Sequence, residues 1–278
     1  MIANQLHINM SKCCYMHFTP NHRNSEDNDA SDHTLHIMDV PIKRVKSTRF
    51  LGVIIDDKLS WQPHIEYLTQ KLNCQAGALN RIKDNVPQMY HKDLYYTLFE
   101  SHLSYCISVW GGVASHKLDH LFTEQKRCIR IMFGDRETYM AKYETCARCR
   151  PFGKQTLGQT FYCKEHTRPL FKKHDIMTVH NIYSYHCFIQ LLKILKFRLP
   201  ISLFSVFQLS QRKETLILTQ KPSSNFIHKS SILWNYLRVK LGILDFTVNV
   251  NSIKTKLKSL ILSNQNDGKY VEWSDAGC

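Results

Sequence analysis

FLGVIIDDKLSWQPHI, Phe50 to Ile65, holds the chain's one Asp-Asp pair and marks the point where its pattern changes from strand to helix. Val53, Ile54 and Ile55 form a β-branched run that ends on Asp56-Asp57. Paired acids at a strand end are what a nucleotide polymerase uses to hold two divalent cations ~3.5–4 Å apart. The same residues are an ordinary exit from a strand into a turn, because Asp hydrogen-bonds to nearby backbone and tolerates tight conformations. The turn is the favoured reading, since short motifs of this kind are weak on their own.

Working outward, residues 35–38 and 48–55 read as strands. The first segment reads as a strand and turn, with Ile8 entering, Asn9 to Lys12 turning and Tyr15 to Phe18 leaving. Together these predict a small antiparallel β unit. Between them PNHRNSEDNDASDHT, residues 20–34, is polar and turn-rich, which marks an exposed loop. From Trp61 the period becomes helical. Ile65, Leu68, Leu72, Ala76, Leu79 and Ile82 recur at three and four residues, with Pro63 at the start and Pro87 past the end. A second helix is expected over about 91–109, carrying Leu94, Tyr95, Leu98, Phe99, Leu103, Cys106 and Val109, and stopped by Gly111-Gly112. A third is expected over about 116–133, with Leu118, Leu121, Phe122, Ile129 and Met132 inward and Lys126, Arg127 and Arg130 on its other face. Ile182, Ile189, Leu192 and Leu195 fit a buried helix within 176–199, ended by Pro200. Residues 210–230 are polar and aperiodic. A short segment around Trp234 and a terminal helix over about 252–262 follow; in the latter Lys254, Lys256 and Lys258 surround Ile253, Leu257 and Leu260. The fold class expected is α+β, a small antiparallel β unit followed by a mainly helical region.

Composition is that of a folded chain, with 43% hydrophobic and 22% charged residues. Lys and Arg total 37 against 23 Asp and Glu, a net charge of +14. The surplus is uneven. Residues 1–60 carry 7 basic and 7 acidic side chains, residues 61–175 carry 17 and 11, and residues 176–278 carry 13 and 5. Cations interleaved with aromatics downstream of the β unit point to phosphate contacts and hence to nucleic acid as partner. A basic but merely solvated surface is the alternative. Met1 to Gln5 lacks a basic start and an apolar core, and no apolar run approaches the ~18 residues of a membrane span. A cytoplasmic or nuclear protein, not secreted and without a membrane partner, is therefore expected. Its ten cysteines are then reduced thiols, with Cys74, Cys106, Cys128 and Cys187 spaced like core residues.

One cysteine cluster differs. Cys146-x2-Cys149, thirteen residues, then Cys163-x2-His166 presents two ligand pairs around a basic loop. Each x2 pair can share one side of a tetrahedron, as structural zinc sites require. Zinc is thus a candidate cofactor; four reduced side chains in a loop are the alternative.

Several of these stretches together resemble a known family. Val45 to Val53, continuing through Asp56, Leu59, Trp61, His64 and Ile65, resembles the segment just past the catalytic carboxylates in reverse transcriptases of non-LTR (jockey-like, LINE-type) retrotransposons. NQLHINMSK (Asn4 to Lys12), with Met16 and Phe18, resembles their palm. Leu94 to Gly111, QKRCIRIMFG (Gln125 to Gly134) and SILWNYL (Ser231 to Leu237) resemble the region that follows. The resemblance covers residues 4–18 and 44–262, with the motifs in the family's order.

The resemblance implies a palm remnant with a primer-grip-like β unit over 1–60, a thumb-like helical domain over 61–135, a Cys/His-containing basic linker over 136–175 and a helical C-terminal region over 176–278. It implies primer-grip positions at Phe50, Leu51 and Gly52, with simple core residues as the alternative. It implies duplex-backbone contacts from Lys126, Arg127 and Arg130. Lys12 falls where the family has a lysine near the incoming triphosphate, although Cys13 replaces the usual threonine. The family's metal-binding Asp residues precede the matched segments, and no Phe-x-Asp-Asp or Tyr-x-Asp-Asp string occurs in the 278 residues. Asp56-Asp57 therefore reads as a decoy, and Mg²⁺ belongs only to an intact parent enzyme. The function expected is that of a C-terminal fragment of an RNA-directed DNA polymerase, inactive alone, that binds RNA or an RNA–DNA duplex. A stand-alone basic module for RNA or protein contact, with or without zinc, is the alternative.

Overall fold

A computed structural model of the chain describes residues 9–18, 35–37, 39–134, 167–209, 216–218, 225–243 and 249–266. It is mainly helical with a few small strands, in keeping with an α+β chain. Two compact units are distinguished, Met1–Leu68 and Thr69–Cys278.

Among the described residues the first unit contains three two-stranded pairings. β1 (Cys14–Tyr15) runs parallel to β4 (Lys43–Arg44); β2 (His36–Ile37) is antiparallel to β3 (Val40–Pro41); β5 (Ser47–Phe50) is antiparallel to β6 (Val53–Asp56). The expected single antiparallel unit is thus corrected twice. The first segment joins Lys43–Arg44 in parallel and touches neither 35–38 nor 48–55 as a strand partner. The expected strand over 48–55 is a hairpin, with Phe50 opposite Val53. Leu51 and Gly52 both have positive φ, 47° and 86°. Two such residues in a two-residue loop twist in the same sense as the strands and close a tight hairpin. Glycine adopts this conformation freely, whereas leucine does so at a cost. Hydrophobic alternation alone cannot report a turn of this kind.

α1 (Gln62–Ile82) follows the hairpin. Pro63 is tolerated because first-turn amides have no partner within a helix. Ile65, Leu68, Leu72, Ala76 and Leu79 are all buried, as their spacing predicts.

In the second unit the expected helix over 91–109 is interrupted. α2 (His91–Leu94) passes through a π-helical Tyr95–Glu100 into α3 (Ser101–Ser104). Cys106 is left-handed (φ 51°), and α4 (Ile107–Trp110) starts in a new phase. Val109, expected inward, is consequently 57% exposed, while Ile107 and Trp110 turn into the core. Gly111 ends α4 for a packing reason. A Cβ there would lie 2.6 Å from Cδ2 of Tyr183 and 2.5 Å from the Ile107 carbonyl oxygen, so only glycine fits. α5 (Ser115–Phe133) agrees with its expected span and buries Leu118, Leu121, Cys128, Ile129 and Met132. His91 ties these segments together. Its ring nitrogens lie 3.0 Å from the carbonyls of Met132, Lys83 and Val86.

The remaining helices are α6 (Arg168–Lys173), α7 (Val179–Phe197), α8 (Ile201–Phe204), α9 (Asn225–Lys240) and α10 (Val250–Asn266). β7 (Phe207–Leu209) and β8 (Leu216–Leu218) form an antiparallel pair. Two boundaries are corrected: the segment around Trp234 is a sixteen-residue helix that takes in part of the polar stretch, and the terminal helix is longer than 252–262 at both ends. Asn249 accounts for its start, accepting from the Asn251 amide at 2.9 Å as an N-cap does. Of the four cysteines expected in the core, Cys128 and Cys187 are buried, Cys106 is half-buried and Cys74 is exposed on the far side of α1.

α7 is the centre of this unit. It packs against α3, α4, α5, α8, α9 and α10, and Phe188 stacks on Trp234 at 5.3 Å. At its start Val179, Asn181, Ile182, Tyr183 and Ser184 are all buried. The start of α7 is therefore cut off from water, and its unpaired backbone groups must be met by side chains. Two buried glutamines do so. Gln125 of α5 accepts from the Val179 amide and donates to the Met177 carbonyl and the Tyr95 hydroxyl, each at 2.9 Å. Gln265 of α10 accepts from the Thr178 amide at 3.1 Å and from Asn181 at 2.7 Å, and donates to the Ile176 carbonyl at 2.9 Å.

Gln125→Met keeps the side-chain length but removes all three bonds, stranding a buried amide and a carbonyl. Chemical denaturation is expected to show a loss of roughly 2–4 kcal/mol; a loss below about 0.5 kcal/mol, within the range of a surface change, would refute this role.

Candidate nucleic-acid interface

Asp56 ends β6 and is 7% exposed. Its Oδ2 accepts from the Ser60 amide and its Oδ1 from the Trp61 amide, both at 2.9 Å. Burial raises the carboxyl pKa, but the hydrogen bonds from Ser60 and Trp61 outweigh it and leave the group more acidic than usual. The Asp56 carbonyl accepts from Leu59, closing the turn, and Trp61 accepts the first bond of α1 from Ile65. His64, buried in the first turn of α1, accepts from the Ile54 amide at 3.3 Å through Nδ1. Burial and the nearby Arg49 charge depress its pKa, which suits an acceptor nitrogen. Arg49 donates to the Tyr67 hydroxyl at 3.2 Å and lies over its ring. The stretch from Phe50 to Ile65 is therefore a joint between hairpin and helix. Asp56 holds it together through both carboxylate oxygens.

Phe50 and Leu51 sit at the hairpin tip, 60% and 75% exposed, so they are not core residues. Lys12 is exposed at the end of a 3-10 turn, Met10–Lys12. Among the described residues no group of three or more His, Cys, Asp or Glu could hold a metal ion. Cys146, Cys149, Cys163 and His166 lie outside the described residues.

Lys126, Arg127 and Arg130 share a stretch of α5 but differ in their surroundings. Lys126 lies over the Phe122 ring at 4.2 Å. Arg127 is exposed, bonded to Asn73 and 3.5 Å from Glu124, which offsets part of its charge. Arg130 is half-buried.

A second cationic surface lies between α6 and α10, in a groove of about 700 Å³. Lys172, Lys254 and Lys258 line it, with hydroxyls from Tyr185, Thr255, Ser259 and Ser263. Lys254 and Lys258 stand one turn apart. Lys258 lies 5.3 Å from the centroid of the Tyr96 ring and acts on Glu100. Burial lifts the Glu100 carboxyl to about 7, against the pull of Lys258 and a hydrogen bond from Tyr95. The chain matches no family model, no curated protein and no solved structure. The sequence pointed to Lys254, Lys256 and Lys258 around the apolar residues of α10; of these, Lys254 and Lys258 line the groove. It gave no hint that Lys172, some eighty residues earlier, faces them. Among the described residues no helix is long and apolar enough to cross a membrane.

Two titrations follow. Asp56→Ala is expected to destabilise the protein by about 1–2 kcal/mol at neutral pH, as loss of a capping side chain does. A depressed folded pKa stabilises above the unfolded value, ordinarily 3.8, and that gain fades as pH falls through the folded value. The gap between wild type and variant in urea melts should accordingly close in acid; a gap independent of pH would contradict the assignment. Glu100 has the opposite sign. Its folded pKa is raised from 4.5 to about 7, so folding is disfavoured progressively as pH climbs between those values and uniformly above them. Glu100→Gln should raise the melting temperature at pH 8 relative to wild type and show little advantage at pH 4; an equal shift at both would contradict the burial argument.

Proposed function

We propose that this chain is the palm-edge, thumb and C-terminal portion of a non-LTR retrotransposon RNA-directed DNA polymerase, and that these residues bind RNA or an RNA–DNA duplex by its phosphates without copying it. The observation that carries this is the state of Asp56. In the one Asp-Asp pair of the sequence, at the strand end a metal site would use, both Asp56 oxygens are engaged by the Ser60 and Trp61 amides. Two cations on this carboxylate would compete with the bonds that start α1.

Three further points support the reading. The family-like motifs occur in the family's order along residues 4–18 and 44–262. The exposed Phe50 and Leu51 at a tight hairpin tip suit a part that touches a primer end. Helical segments over 62–82, 91–110 and 115–133 suit a thumb, whose contacts to a duplex need cations and no base recognition. On this reading Lys126, Arg127 and Arg130 meet the duplex backbone, and Lys12 is a surface lysine once the metal ligands are lacking.

Fluorescence anisotropy with a labelled RNA–DNA duplex tests binding. The dissociation constant should weaken steeply between 50 and 200 mM salt, as counterion release dictates. K126Q/R127Q/R130Q should weaken binding by about tenfold and flatten the salt slope. No binding at 50 mM salt, or an affinity indifferent to salt, would refute the proposal.

A further inference from the structure

The groove between α6 and α10 has a chemistry distinct from that of α5. Lys254 and Lys258 are half-buried on its α10 wall, and Lys172 stands exposed on the other. Among the described residues no carboxylate lies within ion-pair distance of any of the three. Lys258 is steadied by the Tyr96 ring, which holds an ammonium group without neutralising it, and it also feels the Glu100 carboxyl, which lies outside the groove lining. Asp175 is the one acid in the lining, at the α6 end. Along α10 the lysines alternate with Ser259 and Ser263, donors suited to phosphate oxygens, and with Thr255, whose hydroxyl donates to the Asn251 carbonyl at 3.3 Å. From Lys254 to Ser263 the helix rises about 13 Å, at 1.5 Å per residue. That length serves several consecutive phosphates of one strand.

The geometry points to this groove as a binding site for the phosphate backbone of a single-stranded RNA segment, gripped by Lys254 and Lys258 with Lys172 on the facing wall. The site rests on the nucleic-acid reading above, and it adds which strand is held and where. A rigid duplex presents a wide convex surface and reaches rim cations such as Arg127, whereas a single strand is thin enough to enter a groove and reach half-buried ammonium groups. Tyr185 adds an aromatic residue to the lining, the usual companion of cations in single-strand grooves. Asp175 repels phosphate, so the strand follows the α10 side.

The test uses the full 278-residue chain and two labelled probes, a twelve-nucleotide oligouridine and a blunt RNA–DNA duplex. K254Q/K258Q should weaken oligouridine binding about tenfold and leave duplex binding within twofold. K126Q/R127Q/R130Q should do the reverse. Melting curves accompany each variant; if K254Q/K258Q does not fold, K172Q, on an exposed side chain, should still weaken oligouridine binding at least threefold and leave the duplex unaffected. Equal losses for both probes would mean diffuse charge and overturn the groove assignment. So would oligouridine binding unchanged in folded K254Q/K258Q or in K172Q. Wild-type binding to duplex with none to oligouridine would sink this site alone, whereas binding to neither probe would sink the broader nucleic-acid reading with it.

Discussion

Helix α7 begins inside the protein, and the backbone groups at its start have no route to water. Six helices press on it, so the second unit exists only if Ile176, Met177, Thr178 and Val179 find partners within it. Gln125 and Gln265 meet all four. One glutamine comes from a helix well before α7 and the other from the last of the described helices. The polar groups thereby fix which helices surround α7 and in what register, because a buried amide left unpaired costs about as much as several apolar contacts contribute. Tyr95 joins the network through Gln125 and extends it to Glu100, whose carboxyl feels the charge of Lys258.

Asp56 plays the corresponding part in the first unit. A strand must end, reverse and start a helix within five residues, through two left-handed positions at Leu59 and Trp61. The carboxylate offsets that cost by accepting two amides at once. The same residue type in the same strand-end position would serve a metal site. The difference lies in what surrounds it: here the nearest donors are backbone N–H groups, which favour the ionised carboxylate and occupy its oxygens.

Much of the helical scaffold was legible from spacing. Leu68, Leu72, Ala76 and Leu79 on α1, and Leu118, Leu121, Ile129 and Met132 on α5, fall on one face and are buried as their period requires. The turn reading of Asp56 likewise followed from residue chemistry. Local backbone reversals escaped, because they depend on φ rather than on hydrophobicity: Leu51 made a hairpin of an expected strand, and Cys106 turned Val109 outward. Gln125 and Gln265 escaped as well, although each left a trace. Gln125 falls on the stripe of Leu121, Cys128 and Met132, and Gln265 continues Leu257 and Ile261 at four-residue steps. A glutamine in an apolar stripe signals a buried partner. The groove was half legible, since Lys254 and Lys258 share a helix face, but Lys172 joins them only through the packing of α6 on α10.

The central claim is that Asp56 is committed to the fold and that the chain grips nucleic acid without extending it. Primer extension by the purified chain, on an RNA template with Mg²⁺ or Mn²⁺, tests it most directly. No nucleotide incorporation above a protein-free control is expected. Incorporation by the wild-type chain that disappears in folded Asp56→Asn would contradict the account.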